Sequence, residues 1–126
     1  MVGAGSDQWQ AAREADARRR LLGAGASSLP RAPWLRGRQP PSAVDLIQFA
    51  VWRSHSAEVG EDDMVAALAL LPAARAEVDQ MEAAVLLVAR THGLSWSRIS
   101  QAMGLGSAQA AQQRFDRVAG RAERGS

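Results

Sequence analysis

The stretch that decides the fold is residues 93–118, whose sequence is GLSWSRISQAMGLGSAQAAQQRFDRV. Ser95 and Ser107 each stand just before a short run of helix-forming residues, where a hydroxyl can accept a hydrogen bond from the free N–H groups of the first turn. Gly104 lies between the two runs, and glycine readily adopts the left-handed backbone conformation that ends a helix. The pattern therefore predicts two short helices joined by a tight turn.

The apolar residues of this stretch define the face on which the two helices pack. In the second helix they recur every three or four residues, at Ala108, Ala111, Phe115, Val118 and Ala122. The inward-facing residues of the first helix are expected to be Ile99, Ala102 and Met103. Leu105 is expected to anchor the turn, and the small side chains of Ser100 and Ala111 permit the close crossing that a helix-turn-helix requires.

This order of residues resembles the helix-turn-helix of small actinobacterial DNA-binding proteins, and it is similar in layout to the promoter-reading domain of sigma factors. The likeness covers about residues 70–120 and includes Leu71-Pro-Ala-Ala-Arg at the start of the preceding long helix. Gly106 departs from the pattern, because such motifs usually pass from Gly-Leu directly to Ser. The resemblance implies that the last helix enters the major groove of duplex DNA.

The polar residues of the last helix are the candidates for DNA contact, because they lie opposite its apolar face. Glutamine can bond bidentately to adenine, and arginine suits phosphate contacts. The start of the first helix is a usual place for contacts to the DNA backbone. The candidate DNA-binding residues are therefore Ser95, Arg98, Ser107, Gln109, Gln112, Gln113, Arg114, Arg117 and Arg121. A solvated polar face that binds nothing is the alternative interpretation.

The rest of the chain carries helical patterns and no alternating strand pattern of useful length. Ser42 can cap a helix to about Ala57, and the acids at 61–63 favour the start of a second helix. Pro72 can begin a long central helix to about His92, because proline is tolerated in a first turn. The apolar face of that helix is expected to contain Val78, Met81, Val85, Val88 and Ala89, widened by Leu86 and Leu87. We therefore predict an all-α fold: a helix-turn-helix-containing helical bundle with a flexible basic N-terminal arm.

The N-terminal third differs in composition from the rest of the chain. Asp7–Leu22 could form a helix with few apolar residues, and residues 23–41 are rich in glycine and proline, which is typical of a linker. We therefore predict a basic, largely flexible arm over 1–41 and a helical DNA-binding domain over 42–126, with the helix-turn-helix at about 94–122. Two tryptophans of the arm could stack on unpaired bases, although packing onto the domain or a sister subunit is favoured: Trp9 and Trp34.

All 15 basic residues are arginine, and the charge is unevenly distributed along the chain. Residues 1–41 have seven arginines against three acidic residues, residues 42–93 have three against eight, and residues 94–126 have five against two. The basic ends favour a polyanionic partner, because guanidinium groups form forked hydrogen bonds to phosphate and guanine. The acidic middle favours a protein partner such as RNA polymerase or a sister subunit.

The composition argues against an enzyme, a metal site or a cofactor. The chain has no cysteine, and His55 and His92 lie far apart without a carboxylate or thiol at metal-binding spacing. It has no lysine and no phosphate-cradling glycine loop. Since no apolar run approaches about 18–20 residues and no secretory signal is present, we expect a cytoplasmic, nucleoid-associated protein that does not bind a membrane.

The expected function is sequence-specific binding of double-stranded DNA by a transcriptional regulator or DNA-organising protein. A homodimer is expected because one recognition helix contacts few bases and paired half-sites add contacts. The helix that begins at Ser42 carries Trp52 and is expected either to form the dimer interface or to cover the long helix. Two alternatives stay open: a protein-interaction module, and a phage or plasmid structural protein with a nucleic-acid arm.

Overall fold

The computed structural model describes residues 4–30, 41–55 and 60–125, with side chains for 8–30, 41–55 and 60–121. The described residues form α-helices, one short 3-10 helix at Ala26–Ser28 and no strand, so the predicted all-α class is confirmed. In chain order the α-helices are α1 (Ala4–Gly23), α2 (Ala43–Arg53), α3 (Glu61–Ala69), α4 (Leu71–Thr91), α5 (Trp96–Met103) and α6 (Ala108–Gly125). The chain divides into two compact units, Met1–Ala74 and Arg75–Ser126.

Helix ends follow the capping signals of the sequence. The Ser42 hydroxyl accepts a hydrogen bond from the Asp45 backbone N–H at 3.1 Å and so caps α2. Three acidic residues occupy the first turn of α3, where the helix dipole favours negative charge. Pro72 is the second residue of α4. A backbone N–H in the first turn has no acceptor within the helix, so proline costs no hydrogen bond there.

The first unit has a core formed by α1, α2, α3 and the 3-10 helix. Three leucines have no exposed surface, and each comes from a different segment: Leu21, Leu46 and Leu70. Alanines fill the spaces between them and allow the helices to approach closely: Ala17, Ala26, Ala43, Ala50, Ala66 and Ala67. The core is therefore built from a few large side chains set among many small ones.

Polar contacts also attach α1 to the rest of the first unit. The Arg20 guanidinium donates to the Asp63 carboxylate at 2.8 Å, and only 7% of Asp63 is exposed. A buried carboxylate is costly without a cationic partner, so this ion pair ties α1 to α3. Arg18 donates to the Pro41 carbonyl at 3.0 Å, and Arg53 donates to the Ala24 carbonyl.

These contacts correct the expectation of a flexible arm over residues 1–41 and a separate domain over 42–126. Ala17, Leu21 and Ala26 belong to the first unit's core, and the Arg20 contact ties α1 to α3. Trp9 is 62% exposed, and Arg13 lies over its ring at 4.5 Å. Residues 31–40, with Trp34, lie outside the described residues.

The second unit has a smaller core of Leu86, Ile99, Ala111 and Val118, with Trp96, Leu105 and Phe115 packed against it. The helix α4 takes part through Leu86, Ala83 and Ala89, so the expected core contact is confirmed for Leu86 and Ala89. The other residues of the expected apolar face are about half exposed: Val78, Met81, Val85, Leu87 and Val88. The prediction of the buried face of α4 was therefore wrong for those five residues.

None of the helices in the described part of the chain combines the length and the apolar composition that a membrane-spanning helix requires.

We predict that Leu21→Ala lowers the free energy of unfolding by about 2–5 kcal/mol, because it leaves a cavity where α1 packs on its neighbours. Trp9→Ala is the matched control on the same helix and should cost no more than about 1 kcal/mol, since the ring is exposed and contacts mainly Arg13. Urea unfolding followed by circular dichroism measures both. Equal stability of the two variants would contradict the assignment of α1 to the core.

Candidate nucleic-acid interface

The ends of α5 and α6 are fixed by two serine caps and one glycine. The Ser95 hydroxyl accepts a hydrogen bond from the Arg98 N–H at 3.0 Å, and the Ser107 hydroxyl accepts one from the Ala110 N–H at 3.1 Å. Gly104 ends α5 with a φ of 73°, in the left-handed region that favours glycine. The caps predicted at both serines and the glycine stop are confirmed. Each hydroxyl keeps its own proton for donation to a further acceptor.

The two helices pack through small side chains at their crossing. Ala111 and Val118 have no exposed surface, and Ile99 and Ser100 are nearly as buried. The Ser100 hydroxyl donates to the Ser97 carbonyl at 2.8 Å, which satisfies its polar atom inside the core.

Aromatic rings close the edge of this core. The Trp96 and Phe115 rings lie 5.9 Å apart between centroids and tilt by 47°. Leu105 packs against the same core from the turn, as expected. The prediction of an inward-facing position was wrong for three side chains, which are exposed: Ala102, Met103 and Ala108.

The outward surface of α6 is polar. Gln109, Gln112, Gln113 and Arg117 are all exposed. Gln109 and Gln113 are four residues apart and lie on the side away from Ala111 and Val118, while Gln112 lies at the edge of that side. Asp116 is exposed beside them and is the acidic residue that the structure describes on this surface.

Two of the predicted DNA-contacting arginines are instead held by carboxylates of α4. Arg114 forms a forked pair with Glu82, with Nε–Oε2 at 3.0 Å and Nη2–Oε1 at 3.1 Å. Arg121 forms a similar pair with Asp79, with Nε–Oδ2 at 3.1 Å and Nη2–Oδ1 at 3.2 Å. The predicted phosphate contacts of Arg114 and Arg121 stay predictions, and these carboxylates already take up part of the hydrogen-bonding capacity of both guanidinium groups.

The charge state of Arg114 is reinforced by this pairing. Its hydrogen bond to Glu82 and the attraction of that carboxylate raise the pKa of the guanidinium above its ordinary value. A guanidinium is protonated at any physiological pH, so Arg114 presents a positive charge to Glu82 throughout that range.

The remaining basic residues of the second unit have distinct surroundings. Arg90 lies over the Trp96 ring at 4.9 Å and donates to the Leu94 carbonyl at 2.9 Å. Arg98 and Arg117 are exposed, and neither forms an ion pair with the described residues. Of the four arginine side chains that the structure describes from residue 94 onward, these two therefore have guanidinium groups open to an external anion.

Sequence reasoning missed the pairs between α4 and α6. A signal was present, since Asp79 and Glu82 are one turn apart on α4, and Arg114 and Arg121 are two turns apart on α6. Within the described residues, no three histidine or acidic side chains come close enough together to hold a metal ion.

We predict that Arg114→Ala lowers the free energy of unfolding of the second unit, because Glu82 is left without its forked partner. Arg117→Ala removes the same charge one turn along the helix from an exposed position and should change stability by no more than about 0.5 kcal/mol. Urea titrations compare the two variants. In a Glu82→Ala background the effect of Arg114→Ala should become smaller, and an unchanged effect would show that the pair does not couple.

Comparisons with known protein families, with curated proteins and with solved structures find no match to this chain. Its function is therefore inferred from its own residues and contacts. In the second unit these are two serine-capped helices, a polar outward surface on α6, and two exposed arginines, Arg98 on α5 and Arg117 on α6.

Proposed function

We propose that the chain binds double-stranded DNA in a sequence-specific manner through α6, as a transcriptional regulator or DNA-organising protein. The observation that carries the proposal is the division of α6 into two faces. Ala111 and Val118 are fully buried on one face, while Gln109 and Gln113 are exposed on the other. An amide side chain can donate to and accept from an adenine edge at once, so a row of exposed glutamines suits base recognition in a major groove.

The exposed arginines supply the contacts to the DNA backbone. Arg117 lies one turn beyond Gln113 on α6, and Arg98 lies in the first turn of α5. Phosphate contacts of this kind fix the register of a protein on the duplex without reading its sequence. The N-termini of α5 and α6 add partial positive charge at Ser95 and Ser107, where a serine hydroxyl can also donate to a phosphate oxygen.

Arg114 and Arg121 have a positioning role in this proposal. Their forked pairs with Glu82 and Asp79 hold α6 on α4 at two points, two helical turns apart along α6. The glutamine surface is thereby kept turned away from the core. A rigid supporting helix is what base recognition needs, since a rotation of α6 would move each amide off its base edge.

Binding of a protein partner by the first unit is the second candidate function. An open cavity of about 380 Å³ is lined by Leu29 and Pro30, which follow the 3-10 helix, and by residues of α2: Asp45, Gln48, Phe49 and Trp52. Trp52 is 70% exposed, which is unusual for a tryptophan and typical of binding surfaces. The acidic segment 42–93 is a weaker basis for binding another protein, because several of its carboxylates form ion pairs within the chain: Asp63, Asp79 and Glu82.

The test begins with selection of bound sequences from random duplex DNA by the purified full chain. We predict that Gln109→Ala and Gln113→Ala each reduce discrimination between the selected and a scrambled duplex by about 1–3 kcal/mol, because each removes a base contact. Arg117→Ala should weaken binding to both duplexes alike and make the salt dependence shallower by about one unit.

Arg75→Ala is the matched control, since it removes one exposed positive charge from α4 and leaves α5 and α6 untouched. It should bind both duplexes almost like the wild type. Retention of full discrimination by both glutamine variants would exclude α6 as the reading helix. Equal weakening by Arg75→Ala and Arg117→Ala would indicate attraction to DNA by net charge alone.

A further inference from the structure

The glutamine surface of α6 has an acidic residue near its centre. Asp116 is exposed, and it lies seven residues beyond Gln109 and three beyond Gln113. Seven residues make two helical turns with an offset of about 20°, so the side chains of Gln109 and Asp116 leave the helix in nearly the same direction. The opposite face holds Ala111 and Val118, which have no exposed surface. Asp116 therefore belongs to the surface that is proposed to read bases.

The carboxylate of Asp116 forms no ion pair or hydrogen bond within the part of the chain that the structure describes. The residues one turn away on either side, Gln112 and Gly120, carry no charge. In the sequence, Asp116 is the one acidic residue of the stretch 83–122, which contains five arginines. Both carboxylate oxygens of Asp116 are therefore free to accept hydrogen bonds from an external donor.

An ionised carboxylate is a selective group in a DNA interface, because it accepts hydrogen bonds and donates none. Phosphate groups repel it. In the major groove, guanine and the O4 atom of thymine present acceptors, which repel it as well. Cytosine presents its N4 amino group as a donor, whereas adenine presents an amino group beside the N7 acceptor. Cytosine is therefore the base that a carboxylate fits best.

We propose that Asp116 is a specificity-determining residue of α6, and that its carboxylate accepts a hydrogen bond from the N4 amino group of a cytosine in the major groove. The residue acts by rejection as much as by attraction, because thymine or guanine at that position leaves a desolvated carboxylate without a donor. This inference rests on the proposed function and names a second base for the same surface. The glutamines read adenine, and Asp116 reads cytosine.

The geometry of α6 also sets the distance between these bases. At a rise of about 1.5 Å per residue, Gln109 and Asp116 lie about 10 Å apart along the helix axis. Successive base pairs are about 3.4 Å apart along the duplex. With α6 lying along the groove, the cytosine read by Asp116 is about three base pairs from the base read by Gln109.

The test repeats the selection of bound sequences with Asp116→Asn, which keeps the shape of the side chain and removes its charge. Asparagine bonds bidentately to adenine, so one position of the selected sequence should change from cytosine to adenine while the others stay the same. In titrations, replacing that C·G pair by A·T should weaken binding of the wild type by about tenfold. The variant should instead prefer the replaced duplex.

Glu61→Gln is the matched control, since it also converts an exposed acid to its amide, on α3 of the first unit. It should select the same sequence as the wild type. Asp116→Asn should also bind a scrambled duplex more tightly than Glu61→Gln does, because it removes a charge that phosphates repel. Circular dichroism should show equal helix content in both variants, since both residues are exposed.

The outcomes separate this inference from the proposed function. If the glutamine variants lose discrimination but Asp116→Asn selects the wild-type sequence at every position, the role of Asp116 is overturned and reading by α6 stands. A change of preference that Glu61→Gln reproduces also overturns it, because charge alone would then be the cause. If the wild type selects no sequence, or the glutamine variants discriminate fully, both proposals fail.

Discussion

Two carboxylates of α4 are held by two guanidinium groups of α6, and these contacts form at the helix rotations that also bury Leu86 and Val118. Glu82 binds Arg114 and Asp79 binds Arg121, each through a pair of hydrogen bonds. A forked pair fixes orientation as well as distance, because both nitrogens must meet both oxygens. With these residues turned toward α6, Leu86 enters the core beside them. The apolar row from Val78 to Val88 is left on the outside.

The same two contacts decide the chemistry of α6. The side of α6 with Arg114 and Arg121 contacts α4 through these ion pairs. Ala111 and Val118 are buried where α6 crosses α5. The surface that is left is amide-rich, with Arg117 at its end. If Arg114 and Arg121 had no carboxylate partners, the helix would present mainly positive charge, which attracts any polyanion without discrimination. Their pairing leaves a surface better suited to reading hydrogen-bond patterns than to binding charge.

The sequence predicted the helix ends well and the helix rotations poorly. Ser95, Gly104 and Ser107 act through their own backbone neighbours, so local sequence contains the information needed to place them. The rotation of α4 is a tertiary property, because two rows of that helix are apolar enough to be buried. The observed rotation brings carboxylates of α4 to Arg114 and Arg121, which lie more than thirty residues away in the sequence, so the local pattern does not reveal it.

The prediction that the N-terminal helix belongs to a flexible arm was wrong for a related reason. Helix α1 has few large apolar residues. A pattern made largely of alanine does not indicate clearly which face of a helix is buried. Yet Ala17 and Leu21 are buried, because small residues let α1 approach α3 closely and Arg20 meets the carboxylate of Asp63.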